Sequence, residues 1–257
     1  MRKVTYIIPL NKFDESVEAL LPNALKSIKD GKVKEHSVIL VGPEDVLSKT
    51  EDIVSELKMK TSVKNVVNSG ETDFCSQVNK AVMFCTTPFF CVVEYDDTVT
   101  DYWQDTAMRY EEDTNASILL PITEFVDHGE WISFGNVIAW SASFANEIGF
   151  IDLDCLDTYM DFNVTGSFIK TEDFISIGGL KPSLKIAAWY EFLLRACHNS
   201  LKVFVVPKVG YSHTINREGS YMNDAKKDIS PEEGKWLIAT AKEEYFFKED
   251  RKKKYGE

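Results

Sequence analysis

Three carboxylates, Glu94, Asp96 and Asp97, follow directly on the apolar run 89–93. In an extended strand, residues two apart share a face, so the spacing predicts that Glu94 and Asp96 converge at the strand's exit. Carboxylates brought together repel, and a bound cation relieves that repulsion. Oxygen-only ligands favour Mg²⁺ or Mn²⁺ over zinc or copper. Such an ion, held by one or two carboxylates, completes its shell with water and substrate phosphate. The competing reading is a solvated acidic turn between a strand and a helix.

What decides between these readings is where the fold puts the strand end. Residues 4–10 are rich in β-branched types and predict a buried parallel strand closing near Pro9. Val17, Leu21, Ala24, Leu25 and Ile28 recur at helical spacing, with Gly31 as a stop and Pro22 as an obstacle to the first turns. A second strand is predicted over 37–41, one helix over 44–59, a third strand over 63–67, a helix over 73–84 and a fourth strand over 88–93. Strand alternating with helix signals a parallel sheet with helices on both faces, and such sheets bind ligands beyond the carboxyl ends of their strands. The three carboxylates stand at such an end.

Beyond residue 100 the pattern loosens. Strands are predicted over 118–122 and 202–206, a strand or hairpin arm over 131–140, and an acidic, loop-rich stretch over 148–160. A helix is predicted over 188–196, and a last one opens at Ser230-Pro231-Glu232-Glu233, a capping box with proline at the first helical position. The whole reads as one unit of two halves, 1–100 and 101–221, followed by 222–257 as a terminal helix with a basic tail.

A formal net charge of −12 argues against binding nucleic acid through overall charge. The tail 251–254 (Arg-Lys-Lys-Lys) is a local basic candidate or simply a solvated run. No stretch approaches the roughly 20 apolar residues of a spanning helix. Five cysteines without C-x-x-C spacing read as reduced thiols of a cytosolic protein rather than a zinc site.

The run from Asn79-Lys80-Ala81 to Phe89-Phe90-Cys91-Val92-Val93-Glu94-Tyr95-Asp96-Asp97 resembles the family 2-type glycosyltransferases of the GT-A fold. In that family an asparagine-bearing helix precedes a strand ending in Asp-x-Asp; here Glu94-Tyr95-Asp96 takes that place. The opening Val4-Thr5-Tyr6-Ile7-Ile8-Pro9 looks like the family's first strand. Phe174-Ile175-Ser176-Ile177-Gly178-Gly179-Leu180 resembles its acceptor-side segment, Tyr190 to Arg195 the helix beyond it, and Gly210-Tyr211-Ser212-His213 to Ser220 its late loop. The likeness covers roughly residues 4 to 221.

This resemblance implies a GT-A-like, mostly parallel Rossmann-like sheet with an appended acceptor-side subregion. It implies transfer, inverting, of a hexose or pentose from a nucleotide-sugar donor, usually UDP-linked, with a divalent metal (Mn²⁺ or Mg²⁺) bridging the two phosphates. On this sequence Asp96 and His213 would hold the metal, while Pro9, Asn79, Glu94, Tyr95, Asp96, Arg217 and Ser220 would serve the donor. Gly178, Gly179 and Trp189 would meet the acceptor, and Glu191 would act as base. The acceptor is a glycan hydroxyl or, by a looser likeness to tailed-phage enzymes, a hydroxymethylated base of DNA in the host cytoplasm.

Two departures are visible. Gly42-Pro43 stands where the family commonly carries a base-reading aspartate. The acidic pair that opens the family's acceptor helix falls on Ala188-Trp189, which leaves Glu191 two residues along and off that face. Glu191 is equally an ion-pair partner of Arg195 at i+4, and His213 an ordinary loop histidine. A nucleotidyltransferase, or a catalytically silent nucleotide- or glycan-binding protein of the same fold, remain as other classes.

Overall fold

The computed structural model describes residues 4–59, 61–220, 223–224 and 227–255, with side chains described as far as 246. The basic run at 251–254 lies outside the described side chains.

β1 (Val4–Pro9), β2 (His36–Gly42), β3 (Val63–Val67) and β4 (Phe89–Val92) run parallel in the order β3-β2-β1-β4. Val4, Tyr6 and Ile8 of β1 pack into one apolar cluster and Ile7 into another, on the opposite face. Burial on both faces explains why these strands read as unbroken apolar runs. α1 (Glu15–Asp30) starts on Asp14, whose carboxylate accepts from Val17 N at 3.0 Å. It continues through Pro22 and buries Val17, Leu21, Ala24, Leu25 and Ile28, the stripe its spacing predicts.

The single helix expected over 44–59 is instead two, α2 (Glu44–Ser48) and α3 (Glu51–Glu56). Thr50, fully buried, turns its hydroxyl back onto Leu47 O at 2.7 Å and so competes with the helical ladder. α4 (Phe74–Val82) follows β3 and begins on Asp73, which accepts from Ser76 N.

β5 (Thr98–Val99) and α5 (Trp103–Thr114) lead to β6 (Ile118–Asp127) and β7 (Glu130–Gly135), an antiparallel pair. β8 (Phe150–Ile151) and α6 (Leu153–Thr158) replace the loop expected over 148–160, and 137–140 form a 3-10 turn. β9 (Phe168–Lys170) pairs antiparallel with both β4 and β6 and joins the halves into one sheet. α7 (Thr171–Ser176) and α8 (Ala188–His198) come next, then β10 (Val203–Thr214), parallel to β6.

β10, at 12 residues, is more than twice the predicted length. Pro207 suggests an end at Val206, because proline cannot donate to a ladder. The strand absorbs it in a register shift between Val205 and Val209 and continues to Thr214. α9 (Pro231–Tyr255) uses the expected cap, Ser230 Oγ accepting from Glu233 N at 3.1 Å, and packs on α8 with Leu237 and Ala241 buried. Among the described residues no helix is long and apolar enough to cross a membrane. All five cysteines are free.

Candidate active site

After β4 the chain makes a tight turn in which Asp97 N donates to Glu94 O at 3.1 Å. That turn overturns the expected convergence of Glu94 with Asp96, which required extended backbone. Asp97 comes back beside Glu94 instead. Ligand atoms of Glu94, Asp97 and His213 all lie within 4.8 Å of one another. Asp96 is not in this group.

Asp97 is buried and accepts from three donors brought by β10: Tyr211 Oη at 2.7 Å, His213 Nδ1 at 2.7 Å and Thr214 N at 2.8 Å. Tyr211 Oη also accepts from Glu94 N at 3.1 Å, so the turn and the strand are stitched together twice. An imidazole that donates through Nδ1 keeps Nε2 as its lone-pair nitrogen, the arrangement that orients a metal-ligating histidine.

The local charge is unbalanced toward the negative. Burial, then repulsion from Asp97, pushes Glu94 up to about 8. Burial disfavours the charged form of His213, but Asp97 outweighs it and lifts the imidazole to about 9. Among the described residues the Glu94 carboxylate accepts no hydrogen bond. A carboxyl and an imidazole that hold protons above their ordinary range, beside the Asp97 carboxylate, fit a cation that would replace those protons. The mixed oxygen and nitrogen donors suit Mn²⁺, and Mg²⁺ if water supplies the remainder.

Asp96 is committed elsewhere. Its Oδ2 accepts from Arg217 Nε at 2.7 Å, and burial followed by Asp97 raises its carboxyl in spite of that partner. Arg217 also donates to Tyr95 Oη at 2.6 Å and lies over the Tyr95 ring. Tyr95 Oη reaches Gly219 O at 3.3 Å, so the segment after β10 is fastened across the strand end.

Glu94 borders two cavities. One, of about 20 Å³, lies between the ends of β1 and β4 and is lined by Pro9, Asn11, Phe74, Gln77 and Tyr95. The other, of about 70 Å³, lies between His213 and the start of α8, with Asn163, Thr165, Lys185, Ala188 and Trp189 in its walls. Trp189 packs edge-on against Phe74 and Phe192, and its Nε1 has no partner among the described residues. Lys185 adopts φ 45° and ψ −115°, a strained backbone for a side-chain-bearing residue, at the rim of this cavity. Two wider grooves, of about 550 and 600 Å³, border neither Glu94 nor His213.

Other expected site residues have structural uses. Asn79 donates through Nδ2 to Leu180 O and accepts through Oδ1 from Leu180 N, both at 2.8 Å. It staples the glycine turn with both ends of its carboxamide. Gly178 and Gly179 take φ +93° and +67°, and Arg195 holds the carbonyls of Ile177 and Gly179, so the pair forms a turn outside both cavities. A Cβ on Gly179 would stand 2.6 Å from Asn79 Oδ1.

Glu191 has a fully buried side chain, bonded to Arg195 Nε and Nη2 at 2.9 and 2.8 Å, to Lys181 Nζ at 2.9 Å and to Tyr245 Oη at 2.6 Å. It borders neither cavity, and its pairing with Arg195 is the i+4 ion pair that the sequence offers as the alternative to a base. Ser220 Oγ accepts from Asn223 N at 3.3 Å, inside the segment Arg217 fastens.

Sequence reasoning placed Asp97 in the acidic cluster without giving it a role of its own, and it missed Tyr211 and Gln77. Tyr211 and His213 are two apart, a same-face signal that reading the stretch as a loop discards. Gln77 carried no signal, being one polar residue on an apolar helix face.

No family model and no curated protein matches the chain. Solved structures do. S. aureus TarS 1–349 in complex with UDP-GlcNAc superposes with a TM-score of 0.69 at 19% identity, over 94% of this chain and 66% of that one. TarS 1–349 in complex with UDP gives 0.62 at 16%, over 99% and 75%, and a longer TarS chain 0.59 at 16%, over 99% and 46%. The chain thus spans about two thirds of the first TarS chain and under half of the longest. The shared architecture is the GT-A glycosyltransferase fold, a mostly parallel sheet with helices on both faces.

Proposed function

We propose that the chain is a glycosyltransferase that moves a sugar from a nucleoside-diphosphate donor, UDP-linked, to an acceptor hydroxyl. The observation that carries this is the Glu94, Asp97 and His213 group at the carboxyl end of β4, in a sheet whose order reverses between β1 and β4. The fold shared with a protein crystallised with UDP-GlcNAc supports the same reading.

In this reading the edge of the nucleobase enters the cavity between Pro9 and Tyr95, and the sugar points toward Trp189. Glu94 and the Nε2 of His213 would hold a divalent ion, Mn²⁺ or Mg²⁺, with Asp97 fixing the imidazole. When bound, that ion neutralises charge developing on the departing diphosphate. Arg217, drawn toward Asp96 and Tyr95, is positioned to share that work as its segment closes over the donor. The unpartnered Trp189 Nε1 offers a donor to a sugar hydroxyl, and its ring a flat wall. Direct attack by the acceptor oxygen gives inversion. With a chain charge of −12, a glycan hydroxyl is favoured over a hydroxymethylated DNA base.

A silent nucleotide-binding protein is the second reading, because Ala188 and Trp189, which line the acceptor-side cavity, bring no carboxylate to act as base. Thermal unfolding with a panel of nucleotide sugars, with and without Mn²⁺, followed by assay of released products, separates the cases. Metal-dependent stabilisation with release of nucleoside diphosphate supports transfer. Release of sugar 1-phosphate instead indicates a nucleotidyltransferase, and stabilisation without turnover a binding protein.

A further inference from the structure

Gln77 sits on α4 with 1% of its surface exposed and lines the cavity between the ends of β1 and β4. Its orientation is set from outside that cavity: Nε2 donates to Asn68 O at 3.4 Å, and Asn68 N in turn donates to Gly42 O at 2.8 Å. Asn68 O can only accept, so the carboxamide nitrogen must face it and the oxygen must face away. That oxygen, Oε1, is buried and has no hydrogen-bond partner among the described residues. A buried acceptor left without a donor is costly and is rarely kept without use.

The remaining walls narrow the ligand. Pro9 and Phe74 are apolar and suit the flat face of a ring, and the cavity opens toward Glu94 and thus toward the candidate metal group. A volume of about 20 Å³ admits the edge of a ring, not a whole sugar. The group required is therefore a planar ring that presents an N–H donor at its edge.

We infer that Gln77 reads the nucleobase of the donor, its Oε1 accepting a hydrogen bond from an imide N–H such as that of uracil. This rests on the donor site proposed above and adds to it a residue that selects the base. A cytosine ring presents a bare ring nitrogen at that edge and would meet the carboxamide oxygen with a lone pair. The selection is by rejection as much as by attraction, since the site's oxygen is left unpaired with the wrong base.

The test uses the full chain and isothermal titration with Mn²⁺ and four probes: UDP, CDP, 2′-deoxy-UDP and N3-methyl-UDP. Wild type should bind UDP about fivefold or more tightly than CDP and N3-methyl-UDP, and 2′-deoxy-UDP much like UDP. In Gln77→Met the preference for UDP over CDP should fall toward one, with the midpoint of thermal unfolding held within a few degrees. N3-methyl-UDP binding wild type as well as UDP does would overturn the inference without any variant having to fold. Loss confined to 2′-deoxy-UDP would overturn it too, by pointing to the ribose. If no nucleoside diphosphate binds wild type, the donor site itself fails, and the inference with it.

Discussion

His213 Nδ1 and Asp97 Oδ2 lie 2.7 Å apart across 116 positions of sequence, and this bond fixes an imidazole at the exit of β4. Asp97 is buried, while 19% of the His213 side chain is exposed, so the histidine faces the cavity and the aspartate stands behind it. Removing the aspartate should therefore act through the histidine. Asp97→Asn is expected to lower Mn²⁺ affinity about 10- to 100-fold, the usual cost of losing an orienting partner behind a ligand. Asp96→Asn should cost less, because it releases Arg217 rather than a ligand. Mn²⁺ titration of both variants checks the order; the reverse order would return Asp96 to the metal.

Glu191 is expected to contribute to stability rather than to turnover. Burial alone would raise its carboxyl, but Arg195, Tyr245 and Lys181 prevail and hold it below the usual 4.5. The folded protein thus binds fewer protons there than the unfolded chain. This stabilisation is complete above about 4.5 and drains away as pH falls through the lowered value. Glu191→Ala, which leaves Arg195 buried without its carboxylate, should lose about 3–5 kcal/mol in denaturant unfolding at pH 7. The difference between wild type and Glu191→Gln should shrink on acidification. A difference that grew instead would contradict the assignment.

Asn79→Ala should orphan both backbone groups of Leu180 and cost roughly 1–3 kcal/mol. Nucleotide affinity should stay near wild type, because the side chain is spent on the glycine turn. Urea midpoints paired with UDP titration test this, and weakened UDP binding at unchanged stability would restore Asn79 to the donor site.

Trp189→Ala should raise the KM for acceptor about tenfold or more while leaving donor affinity nearly unchanged. Running the same assay across a salt series identifies the acceptor class. A glycan acceptor should respond weakly, whereas DNA binding should weaken steeply as counterions are released. A donor-affinity loss equal to the acceptor loss would move Trp189 out of the acceptor wall.

The first four strands and the place of Glu94 were legible because parallel strands buried on both faces leave unbroken apolar runs, and their carboxyl ends are where ligands bind. Which neighbour joins Glu94 was not. The choice between Asp96 and Asp97 depends on whether the backbone stays extended or turns, and the bond from Asp97 N to Glu94 O leaves no trace in residue types. The split between α2 and α3 was hidden for a similar reason, since Thr50 is compatible with a helix until its hydroxyl finds Leu47 O. Glu191 was legible as an i+4 partner of Arg195, but not its further bonds to Lys181 and Tyr245, which need the turn before α8 and the helix α9 packed against it.

The register shift near Pro207 makes the length of that stretch matter as much as its composition. Val203 stands opposite Ile118, but Tyr211 stands opposite Thr123, so β10 spends three more residues than β6 over the same span. Side chains alternate along a strand, so deleting one residue between Val206 and Gly210 would turn Tyr211 and His213 to the other side of the sheet while their identities stayed intact. A one-residue deletion that most surface connections absorb would here disassemble the cluster around Asp97, whereas deleting two would restore the alternation and shorten only the slack.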